Sequence, residues 1–222
     1  MSESEWLGCI DPTPMLEFLR GKASDRKLRL FALGNAQALC GSLTDSRSRE
    51  ACRIMERYVD GEATSEECRI AVRSAHAAKD SAAHEQPGSS AYFAAHTAYY
   101  AVGSFDGYAA ASNASSDDGK TAPLLNSQTG RKVHLLRCIF GNPFRPDSLD
   151  PAWLTPTVLN LAQSAYDERS LPSGHLDTDR LAILSDALEE AGCDDADILG
   201  HLRGAGPHVR GCHVLDLLLS KK

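Results

Sequence analysis

The sequence predicts an all-α fold, two small helical bundles packed together, and three observations carry that reading. Helix start and stop signals recur almost throughout its 222 residues. Apolar residues between them fall near a 3.6-residue period. Alternating β-branched runs are nearly absent from the N-terminal half, which argues against a sheet there. Hydrophobic residues at 42% and charged residues at 24% are ordinary for a folded globular chain.

The elements follow in order. Thr13-Pro14 opens a short helix through Met15, Leu16, Phe18 and Leu19, stopped by Gly21. Ser24-Asp25 caps a second helix carrying Leu28, Phe31, Ala32, Leu39 and Cys40, with a kink or break expected at Gly34-Asn35. Thr44-Asp45 opens a third, with Ile54, Met55, Tyr58 and Val59 on one face and Gly61 as its stop. Thr64 and Glu67 have capping-box spacing for a fourth. Residues 91–102 are expected to be helical because they are rich in alanine, the best helix former. An apolar segment over 133–140 ends at Gly141-Asn142-Pro143. Thr155-Pro156 and Asp177-Thr178 start two well-patterned helices, Asp194 caps another over 197–202, and 209–219 is apolar. Leu217-Leu218-Leu219 reads equally as helix or as a short buried strand.

Composition divides the chain into an N-terminal bundle over 1–84, an alanine- and serine-rich middle over 85–130, and a C-terminal bundle over 131–222. Gln86-Pro87-Gly88-Ser89-Ser90 and Ser115-Ser116-Asp117-Asp118-Gly119 punctuate the middle.

A formal charge of −7, with no lysine or arginine stripe to neutralise a row of phosphates, speaks against nucleic acid. No apolar run approaches membrane-spanning length, and the acidic start Met1-Ser2-Glu3-Ser4-Glu5 lacks the basic character of a secretory leader. A cytoplasmic protein is therefore expected. Seven scattered cysteines with no Cys-x-x-Cys pair fit reduced thiols rather than a disulfide framework.

Several stretches together resemble a large planctomycete family of uncharacterised proteins: Phe140-Gly141-Asn142-Pro143-Phe144-Arg145-Pro146, Pro151-Ala152-Trp153-Leu154-Thr155-Pro156, the run from Asp186 to Cys193, and His208-Val209-Arg210-Gly211-Cys212. Met15 to Arg20 and Ser24 to Phe31 share the resemblance. It covers most of the chain outside the middle segment and implies no particular activity. The chain departs from the family pattern at Ala32-Leu33-Gly34-Asn35, where a cysteine-rich stretch is usual, and at His213, where tryptophan is usual.

Two function classes emerge. The first is a non-enzymatic interaction or regulatory module whose partner is another protein, docking at Phe144, Arg145 and Trp153, since aromatics beside prolines make anchors. The second is a zinc-binding protein or metalloenzyme using Cys193, His201, His208 and Cys212, with His213 nearby, because thiolates and imidazoles are what Zn²⁺ selects. The spacing is not that of a zinc finger, and only His208 and Cys212 stand four apart. His76, Asp80 and His84 share a helix face that also suits a solvated surface. Pro172-Ser173-Gly174-His175 lacks the strand-to-helix setting of a nucleophile elbow, and Gly204-Ala205-Gly206 lacks the Lys-Ser/Thr of a phosphate loop.

Overall fold

The structure is a computed structural model that describes residues 1–104, 106–115, 122–145 and 149–221, with side chains in the 122–128 stretch excepted. The break expected at Ser116-Asp117-Asp118-Gly119 lies outside the described residues, as does Pro146. Among those residues the fold is mainly α, with twelve α-helices and one two-stranded sheet. Among the described residues no helix is long and apolar enough to cross a membrane.

The chain separates into two compact units: a central one, Ile10–Val133, and a terminal one formed by Met1–Cys9 together with His134–Lys222. The first residues of the chain therefore belong with the last ninety or so, and the alanine-rich middle belongs with the residues before it.

The central unit holds α2 (Pro12–Leu19), α3 (Asp25–Gln37), α4 (Ser46–Val59), α5 (Ser65–Glu85), α6 (Ser90–Gly103) and α7 (Gly107–Ser115). Helix α3 packs against α4, α6 and α7, so most of its surface is covered from Leu28 onward. That burial explains why Gly34-Asn35 produces no break: the flanking Leu30, Leu33 and Ala36 are anchored in the core, and tertiary packing outweighs the roughly 1 kcal/mol helical cost of glycine. Alanines 94, 98, 101, 110 and 114 sit in the same core, where small side chains let α6 and α7 approach closely. The Thr64–Glu67 capping box is present at the start of α5. Asp11, rather than Thr13, caps α2, with Pro12 in its first turn.

The terminal unit begins with α1 (Glu3–Gly8), closed by a Ser2–Glu5 capping box. It continues with the end of α8 (Ala122–Phe140), a 3-10 turn at Pro151–Trp153, α9 (Pro156–Asp167), α10 (Thr178–Glu190), α11 (Ala196–Leu202) and α12 (His213–Leu218). Between α9 and α10 a small antiparallel hairpin pairs β1 (Arg169–Ser170) with β2 (His175–Leu176). The strand considered for Leu217-Leu218-Leu219 is instead the end of α12, because Val214, Leu215 and Leu218 bury at helical spacing. Asp195, one residue beyond Asp194, caps α11.

Helix α9 packs on α10 and α12, and α11 packs on α10 and α12. Their shared core includes Val158, Ala162, Tyr166, Leu181, Leu184, Leu188, Ile198 and Leu215. Arg137 on α8 donates to the carbonyls of Trp6, Leu7 and Cys9, at 2.9, 2.6 and 2.9 Å, and so satisfies carbonyls left open at the end of α1. The buried Trp6 indole N–H donates to the Gly141 carbonyl at 3.1 Å.

Candidate metal centre

Four ligand-type side chains of the terminal unit converge. Cys138 lies in the last turn of α8, where its neighbours Leu135, Leu136 and Ile139 face the core. The helix stops just beyond, at Gly141, whose φ of +60° is a left-handed conformation that glycine adopts without steric cost. His201 lies in the last turn of α11. The chain then turns through Gly204-Ala205-Gly206-Pro207 and presents His208. Gly206 has φ +77°, and a Cβ there would meet the His208 backbone nitrogen at 2.7 Å, so the close turn requires glycine.

Backbone bonds fix the His208 segment. The Leu176 N–H donates to the His208 carbonyl at 2.9 Å, and Val209 bridges His175 on β2. The Cys212 N–H then closes a turn onto the Val209 carbonyl at 3.0 Å. Cys212 is the N-cap of α12, yet its sulfur caps no backbone N–H and faces the cluster instead.

Cys138, His201, His208 and Cys212 each offer one ligand atom, and all four atoms lie within 4.8 Å of one another. The His201 Nε2 to Cys212 Sγ separation is 3.2 Å, and the Cys138 Sγ to His208 Nδ1 separation is 3.9 Å. Zinc bonds of about 2.0–2.3 Å at tetrahedral angles place ligand atoms roughly 3.3–3.8 Å apart. The two measured edges bracket that range. The His208 ring is oriented from behind: its Nε2–H donates to the Gly204 carbonyl at 3.0 Å, which turns Nδ1 toward the cluster.

The electrostatics of the two sulfurs are opposed. The Cys212 thiol is held well below its ordinary range, first by a hydrogen bond from Cys138, with the charge and hydrogen bonds of the imidazoles also favouring the thiolate against burial. Cys138 is pushed well above its ordinary range by that same hydrogen bond and by burial. For His208, burial works against the charged form, but the neighbouring Cys212 sulfur outweighs it and the net shift is upward. The surroundings thus favour the thiolate at Cys212 and disfavour it at Cys138.

Of the four residues read from the sequence as metal ligands, the structure brings together His201, His208 and Cys212. Cys193 stands outside the group, buried just past the end of α10 next to Asp194 and Asp195, and Cys138 stands in the set. No local signal pointed to Cys138, which is 63 positions of sequence before His201. His213 lies beside the cluster without being one of the four. His76 and Asp80 pair at 3.0 Å on an exposed face of α5 and form no such group with His84.

The residues read as a docking surface are spread apart in role. The Phe144 N–H donates to Asn142 Oδ1 at 3.1 Å, Arg145 pairs with Glu3 at 2.6 Å, and Trp153 is half-buried in its 3-10 turn. Ser173 and Gly174 form the tip of the hairpin. Compared with protein-family models, curated proteins and solved structures, the chain finds no match in any of the three.

Proposed function

We propose that the protein binds one zinc ion through Cys138, His201, His208 and Cys212, and that the metal is structural: it completes the terminal unit of a non-enzymatic module. The observation that carries this reading is the convergence of two thiols and two imidazoles to within 4.8 Å from separate segments of the chain. Two sulfurs and two nitrogens are a donor set that suits Zn²⁺, and four protein donors leave no open coordination position for a substrate. The ligands come from α8, α11, the turn after Gly206 and the start of α12, so a bound ion ties together four segments of the terminal unit.

A cysteine–histidine nucleophile is the competing use of the His201–Cys212 pair. It is disfavoured by access: Cys212 is 0% exposed and Cys138 2%, whereas a nucleophile needs a path for its substrate.

The test is elemental analysis of the full chain purified without added metal, with zinc titration alongside. About one zinc per chain is expected, lost in Cys138→Ser and Cys212→Ser and retained in Cys193→Ser. A wild-type chain that carries no metal and takes up no zinc on titration sinks the reading.

A further inference from the structure

We propose that His213 is a positioning residue of this metal site: its ring fixes the Cys138 backbone and the His201 ring relative to one another without contributing a ligand atom. The inference rests on the zinc reading above and deepens it.

Three contacts carry it. The Cys138 carbonyl lies 3.0 Å from His213 Nδ1, and because a carbonyl only accepts, that nitrogen carries the proton and donates. The His213 ring also meets the His201 ring edge to face, with centroids 4.3 Å apart at 61°. Its other side is closed by Gly141: a Cβ at that position would come within 2.8 Å of His213 Cδ2, so glycine there leaves the space the ring occupies. One imidazole therefore touches the backbone of a sulfur ligand from α8 and the ring of a nitrogen ligand from α11.

Such an arrangement has a chemical consequence. Cys138 and His201 belong to elements far apart in sequence, and no local backbone geometry sets the distance between them. Groups that orient ligands from behind are worth roughly 10- to 100-fold in metal affinity. His208 has the Gly204 carbonyl for that purpose. For Cys138, His213 holds the main chain that carries the sulfur.

Two substitutions separate the hydrogen bond from the ring. His213→Phe keeps an aromatic ring against His201 and Gly141 but removes the donor. His213→Asn places an amide N–H near the position of Nδ1 and removes the ring. The experiment titrates full-length wild type and both variants with Co²⁺ alone, following the visible d–d bands and sulfur charge-transfer bands, and then displaces the cobalt with Zn²⁺. Helicity of each metal-saturated protein is followed by circular dichroism.

His213→Phe is expected to bind cobalt and zinc about 10- to 100-fold more weakly, with an altered d–d band at unchanged helicity, and His213→Asn to recover part of that loss through the hydrogen bond to the Cys138 carbonyl. Wild-type affinity and spectrum in His213→Phe overturn the inference, as does an Asn variant no better than Phe. A Phe variant that loses helicity even when metal-saturated also overturns it, since the role is then general packing. A wild-type chain that binds no cobalt or zinc overturns the metal reading itself and this inference with it, whereas the other outcomes leave that reading standing.

Discussion

The Nε2 atom of His201 lies 3.2 Å from the sulfur of Cys212, and this contact joins the last turn of α11 to the N-cap of α12. Between them the chain leaves the helix, pairs with a hairpin and returns. The closeness of the two atoms is thus set by tertiary structure rather than by helical spacing.

Metal removal is expected to destabilise the protein. Treatment with a strong chelator should lower the melting temperature of the wild type and leave that of Cys212→Ser unchanged, because the variant has no metal to lose. With free zinc at 100 times the dissociation constant, the linkage is worth about 2.7 kcal/mol. Differential scanning calorimetry with and without chelator measures it.

Zinc affinity should fall as pH is lowered. Protons and the metal compete for the same imidazole and thiolate lone pairs, so each proton displaced on binding steepens the dependence by roughly tenfold per pH unit. Competition against a chromophoric chelator between pH 8 and pH 5 reads this directly. Affinity that stays flat across that range contradicts ligation by cysteine and histidine.

Arg137→Met should release α1. The guanidinium donates to three carbonyls at the end of that helix, and a hydrogen bond to a charged group is worth about 1.5–3 kcal/mol. The expected loss of stability is on that order. Faster amide exchange at Trp6 and Leu7, with little change within α4 and α5, is the accompanying signature.

The Cys52 thiol should be inert in the folded protein. Burial, with a smaller contribution from the Glu56 charge, pushes it up to about 12, so its thiolate fraction at pH 8 is on the order of 10⁻⁴. Because the folded form holds its proton to higher pH than an unfolded thiol does, its contribution to stability is complete below about pH 8.5 and is lost as pH rises toward 12. Alkylation at pH 8 followed by peptide mass mapping should leave Cys52 unmodified until denaturant is added.

Thr64→Ala should cost about 0.5–2 kcal/mol, because it removes the side-chain oxygen that accepts the Glu67 N–H at 3.2 Å. A double-mutant cycle with Glu67→Ala should show coupling, since the Glu67 carboxylate accepts the Thr64 N–H at 2.8 Å in return. Urea unfolding curves supply the values.

Much of the helical punctuation is legible in the sequence because it is local. Ser24, Asp45, Thr64, Thr155 and Asp177 each accept the backbone bonds of a nearby first turn, and a cap needs only residues within that turn. Ser2 and Glu5 carry the same capping-box spacing, but in the sequence they read only as an acidic start. The continuity of α3 through Gly34-Asn35 was not legible, since it depends on what packs around those residues. The hairpin over 169–176 was equally hidden, because two-residue strands are too short to show alternation.

The sequence by itself determined the mainly helical fold and most helix starts, and it pointed to three members of the Cys/His group that could hold a metal ion, His201, His208 and Cys212, which crowd into the last quarter of the chain where proximity in sequence makes proximity in space easy. Only the tertiary structure decided the fourth. It selected Cys138 at the end of α8 over the nearer Cys193, and it drew Met1–Cys9 into the same unit as the C-terminal helices. The physical reason is shared: a ligand or a packed helix is chosen by where close-packed apolar faces place it, and those faces combine residues from distant parts of the chain, which no local pattern records.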